Sequence, residues 1–241
     1  MDKKNVLITG ASQGIGLAIA KHLNKFYNVY VCSRSLEKLK KVCEENRFEN
    51  FYAIDLSKEN SAEKLFNQLN AGIDILINNA GVYYYNSIEE MTHEEIINTI
   101  YLNTITPLEL SKLVIPHMKK QKWGRIINIG SISGVMGEAN ASVYSLSKAS
   151  LIGMTKALAL ELAQDDITVN VINPGWVDTD LINNENLESD FSKQDIVETI
   201  PQRRFVTPEE IASTVEFLVS NRAKTITGQS INICAGLSVG F

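Results

Sequence analysis

Short runs of almost wholly apolar residues alternate along the chain with longer stretches in which apolar positions recur every three or four residues. Runs of the first kind, bounded by Gly, Asn, Asp and Ser, read as buried strands, and stretches of the second kind as amphipathic helices. Strands are predicted at residues 4–9 (KNVLIT), 28–33 (NVYVCS), 51–54, 73–77 (IDILI), 124–130 (GRIINIG), 167–172 (ITVNVI) and 229–233. Helical spacing occupies residues 15–23, 36–45, 57–69, 92–120, a segment from about residue 143, and residues 208–219. Strands without a polar face, separated by helices, predict one α/β domain over residues 1–241: a doubly wound, seven-stranded, mainly parallel sheet with helices on both faces. Pro107 and Pro116 are the expected kinks or boundaries of the 92–120 helix. Residues 176–204 are polar, acidic and weakly periodic, which predicts a loop-and-helix insertion that closes over a ligand.

In such a sheet ligands bind beyond the carboxyl ends of the strands, and the residues there have the corresponding chemistry. The first strand runs into Thr9-Gly10-Ala11-Ser12-Gln13-Gly14-Ile15-Gly16. Gly10 permits a tight exit, Gly14 lets backbone N–H groups approach a phosphate at the positive end of the helix, and Gly16 allows helix and strand to pack closely. The second strand ends in Ser33, Arg34 and Ser35, with no carboxylate before Glu37. An NAD site needs an acid here for the ribose hydroxyl, whereas a cation suits the 2′-phosphate, so NADP(H) is expected. The fourth strand ends in Asn78-Asn79-Ala80-Gly81, which also suits a plain turn.

Residues 143–155 (VYSLSKASLIGMT) place Tyr144 and Lys148 four apart on one helical face. A lysine cation roughly 5 Å from a phenol favours the phenolate by about 3 kcal/mol at an effective dielectric of about 20, or roughly two pKa units. Tyr144 is therefore expected to exchange protons near neutrality.

Composition removes other functions. A net charge of −5 gives no general attraction to nucleic acid or an anionic membrane, and the partners expected are small molecules. Three scattered cysteines without a CxxC, and three histidines, predict neither a disulfide framework nor a metal site. The opening MDKKNVLITGAS has no signal-length apolar run, so a cytoplasmic protein is expected.

In TGASQGIG, NNAG, Asn103, GSISG with Ser131, YSLSK with Tyr144 and Lys148, and the NPG of residues 173–175, the chain resembles the classical short-chain dehydrogenase/reductases. The motifs follow one another in the family's order and span nearly the whole chain. The resemblance implies a Rossmann fold, a nicotinamide-dependent oxidoreductase and a homotetramer. It implies that Tyr144 protonates the carbonyl oxygen, that Lys148 lowers the tyrosine pKa and binds the nicotinamide ribose, that Ser131 bonds the carbonyl, and that Asn103 holds a relay water. Ser133 competes with Ser131 by type, and Ser131 has the family's spacing to Tyr144. To the cofactor the resemblance assigns Gly10, Ser12, Gln13, Gly14, Ile15, Gly16, Ser33, Arg34, Asp55 (adenine), Leu56, Asn79, Ala80, Gly81, Pro174, Gly175, Val177 and Thr179. Within the family, WGRIINIGSISG, KASLIGMTKALALELA and ITVNVINPGWVDTD are similar to 3-oxoacyl-[acyl-carrier-protein] reductases. That likeness implies reduction of a 3-oxoacyl thioester. Polyketide ketoreductases, coenzyme-A-thioester dehydrogenases, sugar or secondary-alcohol dehydrogenases and a noncatalytic NADP-binding regulator are the alternatives. Lys119, Lys120, Lys122 and Arg125 are the candidate patch for an acidic carrier protein, against which Asp165 and Asp166 count.

Overall fold

The computed structural model describes residues 3–179 and 192–239. Seven strands, β1 (Asn5–Thr9), β2 (Asn28–Ser33), β3 (Asn50–Ala53), β4 (Ile75–Asn78), β5 (Gly124–Ile129), β6 (Ile167–Pro174) and β7 (Ser230–Ile233), form one sheet. The order is β3-β2-β1-β4-β5-β6-β7 and every pairing is parallel. Successive side chains of β1 go to opposite faces, and both faces are covered. Val6 and Ile8 pack with Ile19 and Leu23 of α1 (Gly14–Leu23) and Ile211 and Val215 of α9 (Pro208–Val219). Leu7 packs on the other face with Leu110 and Val114 of α5 (Thr106–Gln121) and Ala159 and Leu162 of α7 (Ser142–Leu162). Covering both faces is why these strands read as continuous apolar runs.

The chain moves outward from β1 through β2 to β3, then returns to place β4 on the other side of β1. That reversal opens a crevice beyond the carboxyl ends of β1 and β4, where the glycine turn and the NNAG segment both lie. Helices α2 (Leu36–Asn46) and α3 (Ser61–Gln68) complete the first half.

The expected 92–120 helix is divided one residue before Pro107 and runs unbroken through Pro116. It comprises α4 (His93–Ile100), a π-helical turn (Tyr101–Ile105) and α5. Pro107 sits in the first turn of α5, where no N–H is needed, and Pro116 lies inside that helix. The wider turn carries Asn103, whose side-chain amide donates to the Val82 carbonyl and to Ser147 Oγ. The glycine-bounded loop after β5 contains a short helix, α6 (Ser133–Met136), absent from the sequence reading. Of the expected 176–204 insertion, residues 180–191 lie outside the described residues. Its base is fixed by a parallel bridge between Val177 and Val206, and α8 (Lys193–Thr199) starts with a Ser192/Asp195 capping box.

Arg125 does not belong to the candidate carrier patch, while Lys119, Lys120 and Lys122 are exposed. Arg125 is fully buried, stacked on Trp123 at 4.4 Å and donating to the carbonyls of Gly124 and Asp166. Lys119 and Lys122 are both turned to Asp165. β5 is a central strand, so the side chain of its second residue is covered on whichever face it projects from. Cys32, Cys43 and Cys234 are buried free thiols, and burial pushes Cys32 up to about 12. Among the described residues no helix is long and apolar enough to cross a membrane.

Candidate active site

The glycine turn and the NNAG segment are locked together. Thr9 Oγ1 accepts from the backbone N–H groups of Asn79 and Ala80, both at 3.0 Å. Asn79 Nδ2 donates in return to the carbonyls of Thr9 (2.9 Å) and Gly10 (3.2 Å). Gly10 and Gly14 have φ of +68° and +54°, the left-handed region that favours glycine. Gly16 leaves no space for a side chain, since a Cβ there would lie 2.4 Å from the Gly10 carbonyl oxygen and 2.5 Å from Asn79 Nδ2. A Cβ on Gly14 would face Thr179 at 3.5 Å, which brings the residue after β6 to the same turn.

Beyond β2, Arg34 is exposed, and the buried hydroxyl of Ser33 finds no partner among the described residues. Lys38, one turn into α2, reaches Gln13 of the glycine turn at 3.3 Å. It therefore brings to the glycine turn a cation that the sequence did not single out. Burial works against the Asp55 carboxylate, but hydrogen bonds from Ser57, with Lys58 and Arg34 nearby, outweigh it and hold the group below its usual range. Leu56 and Val177 are core side chains, so only their backbones are available to a ligand. Ser12 and Ile15 sit half-buried at the turn. Pro174 and Gly175 are committed to backbone bonds with Ile132 and Ile233.

On the other side of the crevice Lys148 is buried and donates to the Ile129 carbonyl at the end of β5 (2.8 Å). Its Nζ is 5.6 Å from the centre of the Tyr144 ring. Asn103 is buried, giving its amide protons to the Val82 carbonyl (2.9 Å) and Ser147 Oγ (3.0 Å) and accepting from Val82 N–H (2.9 Å). Gly81 fits between the two, as a Cβ there would lie 3.1 Å from Asn103 Oδ1 and 3.5 Å from Lys148 Nζ. Ser131 is near enough to act on the Tyr144 phenol, favouring its ionised form, whereas Ser133 donates to Glu138 at 2.6 Å. Tyr83 packs edge-on against Tyr144, centroids 4.8 Å apart, and donates to Glu138 at 2.9 Å. Tyr83 and Glu138 were not singled out in the sequence. The available signals were a run of three tyrosines shortly after NNAG and a lone carboxylate between Ser131 and Tyr144.

The electrostatics differ from the expectation for the tyrosine. Burial pushes the Tyr144 phenol up to about 12, opposed by the bond from Ser131 and reinforced by the Glu138 carboxylate. Burial also lowers Lys148, to about 8. Desolvating both groups disfavours both charged forms, and this outweighs the attraction assumed for an exposed pair.

The profile of the short chain dehydrogenase family matches residues 4–190. The chain belongs to the short-chain dehydrogenase family. A 3-oxoacyl-[acyl-carrier-protein] reductase, FabG, of Buchnera aphidicola is 40% identical to this short-chain dehydrogenase over 98% of each chain. An uncharacterized oxidoreductase of Bacillus subtilis, YxjF, is 37% identical over 98% of each. Among solved structures, YwfH, an NADPH-dependent reductase involved in bacilysin biosynthesis, superposes with a TM-score of 0.91 at 30% identity, covering 100% of both chains. A variant of the actinorhodin polyketide ketoreductase with NADPH gives 0.92 at 32% identity, covering 99% of this chain and 100% of that one.

Proposed function

We propose that this short-chain dehydrogenase reduces a ketone, carried as a 3-oxoacyl thioester, to a secondary alcohol with NADPH, Tyr144 being the proton donor. The observation that carries the reading is the meeting of Ser131, Tyr144 and Lys148 at the sheet end that holds the glycine turn. The names of the FabG relatives support the thioester, and those of the NADPH-dependent structural neighbours support the cofactor.

The residues fit a dinucleotide. The left-handed Gly10 and Gly14 leave space at the start of α1 for a pyrophosphate, and the unpartnered Ser33 hydroxyl with Arg34 and Lys38 suits a ribose 2′-phosphate. Asp55, Asn79, Ala80, Gly81 and Thr179 are the further residues this reading assigns to the dinucleotide. An ammonium has three protons and Ile129 takes one from Lys148, which leaves donors for ribose hydroxyls. NADPH supplies the hydride.

The protein supplies the proton. A phenol held well above neutral pH is protonated and ready to give its hydrogen to the carbonyl oxygen, while Ser131 bonds the same oxygen. Transfer leaves a phenolate on Tyr144 beside Lys148, so the lysine acts on the state that follows transfer rather than on the resting acid. Asn103 braces Val82 and Ser147 behind that pair. Apolar side chains exposed on the outer helices, Ile97 at 51%, Leu108 at 46%, Leu146 at 61% and Leu160 at 83%, support a homotetramer, and the free thiols suit a cytoplasmic location.

The test is loss of NADPH absorbance with acetoacetyl thioesters of carrier protein and of coenzyme A. Turnover of either supports the reading. Binding of NADPH without turnover of any thioester moves the substrate to free ketones, and binding without turnover of any carbonyl makes the chain a regulator. Arg34→Ala is expected to weaken NADPH about tenfold and NADH less than about twofold, the size of one charge-assisted hydrogen bond at an exposed position. Equal losses in a fluorescence titration would remove the phosphate role.

A further inference from the structure

Tyr83 packs in neither of the two cores that cover the sheet, yet it is held at both ends. Asn103 fixes its backbone through the preceding residue: Val82 gives its N–H to Asn103 Oδ1 and its carbonyl accepts from Nδ2, both at 2.9 Å. Glu138 fixes its side chain. A carboxylate only accepts, so the Tyr83 hydroxyl must donate to Glu138 Oε1 at 2.9 Å. The neighbouring residues repeat the tie. Asn86 N–H donates to the Asn140 carbonyl at 2.8 Å and Asn140 Nδ2 to Tyr85 Oη at 3.2 Å, which laces the segment after β4 to the β5–α7 connection. Asn103 Nδ2 also donates to Ser147 Oγ at 3.0 Å, and Ser147 in turn donates to the Tyr144 carbonyl at 2.7 Å. One buried asparagine thus anchors the backbones of both tyrosines, and their rings meet at 4.8 Å with planes 89° apart.

We propose that Tyr83 is a positioning residue whose ring, standing at right angles to that of Tyr144, fixes the plane in which Tyr144 donates its proton. The proposal rests on the reductase reading and names a residue that acts through Tyr144 rather than on substrate. Helix α7 sets the backbone of Tyr144 and restricts its first side-chain torsion, but the second torsion of a tyrosine lies in a broad well. Conjugation keeps a phenolic hydrogen in the plane of its ring. The loose torsion therefore aims the O–H, and the ring needs a wall to hold it. Tyr83 is that wall, because edge-to-face packing is a favoured arrangement that turning the Tyr144 ring would give up. With its own proton committed to Glu138, Tyr83 does not compete with Tyr144 as donor.

Tyr83→Leu and Tyr83→Met remove the ring and keep apolar bulk, whereas Tyr83→Phe removes only the hydroxyl. With NADPH and acetoacetyl-coenzyme A, the Leu and Met variants are expected to lose about three- to tenfold in kcat per NADPH-binding chain at unchanged KM, the equivalent of one aromatic pair. Tyr83→Phe is expected to recover kcat to within about twofold of wild type, which separates the ring from the tie to Glu138. The solvent deuterium isotope effect on kcat should rise in the Leu and Met variants, because proton donation is the step they impair. A packing defect alone would reduce the binding-competent protein and leave that isotope effect where it was. Ring motion is read without turnover, by fluorine NMR of the cofactor-free protein carrying 3-fluorotyrosine, the Tyr144 signal being the one absent from Tyr144→Phe. The ring is expected to flip about three- to tenfold faster in the Leu and Met variants than in wild type or Tyr83→Phe. An unchanged flip rate overturns the proposal, as do ring-deleted variants with wild-type kcat or a Phe variant as slow as Leu. A wild type that reduces no carbonyl counts instead against the functional reading, and leaves the flip rate to decide on Tyr83.

Discussion

Tyr144→Phe is expected to lower kcat for carbonyl reduction by about two to four orders of magnitude, the range that positioned proton transfer contributes, while the Kd for NADPH stays within about threefold. The substitution removes one oxygen. Phe keeps the ring that packs edge-on against Tyr83, and Ser131 keeps its bond to Ser133, so neither the β5–α7 connection nor the start of α7 loses its packing. The glycine turn is held by Thr9 and Asn79, which Tyr144 does not touch in the described contacts. Proton donation and cofactor retention should therefore separate in the same variant. A single-turnover measurement with bound NADPH checks it, and a rate near wild type would mean that the proton comes from elsewhere and that the assigned site is wrong.

How far the sequence leads depends on whether a property is local. The strands at residues 4–9 and 124–130 are legible because both faces of a parallel sheet are covered, so burial writes itself into consecutive apolar letters. The glycine turn is legible because a left-handed φ or a missing Cβ restricts the residue at that position. Tyr144 and Lys148 are legible because helical spacing brings them together without reference to the rest of the chain. Their charge state is not local, since it depends on what covers them. Spacing suggested attraction and a lowered tyrosine, whereas burial of both groups and the Glu138 carboxylate give a raised one. The placing of Arg125 in the carrier patch failed for the same kind of reason. Lys119, Lys122 and Arg125 cluster in sequence, but Arg125 belongs to a central strand and both lysines face Asp165 across 43 residues or more. Glu138, Tyr83 and Lys38 escaped because their partners are Ser133, Tyr144 and Gln13, and only folding brings two of those three pairings together across the chain.

Gly16→Ala is expected to lower the melting temperature and to weaken NADPH at least about tenfold, against the usual preference for alanine in helices. Inside α1 the exchange would by itself stabilise by about 1 kcal/mol, because alanine loses less backbone freedom. Here the added methyl would stand 2.4 Å from the Gly10 carbonyl oxygen and 2.5 Å from Asn79 Nδ2. The first of these is backbone, in a turn already pinned by Asn79, so it cannot swing aside as a flexible side chain would. Overpacking of a fixed site costs about 1–3 kcal/mol, which cancels the helix gain and on balance exceeds it. Relief by moving α1 away from β1 would shift the N–H groups proposed to hold the pyrophosphate, so stability and cofactor affinity should fall together. Calorimetry and NADPH fluorescence on the same sample decide it. A Gly16→Ala protein that melts higher and binds NADPH normally would show that α1 and β1 are not in the close contact on which the cofactor site depends.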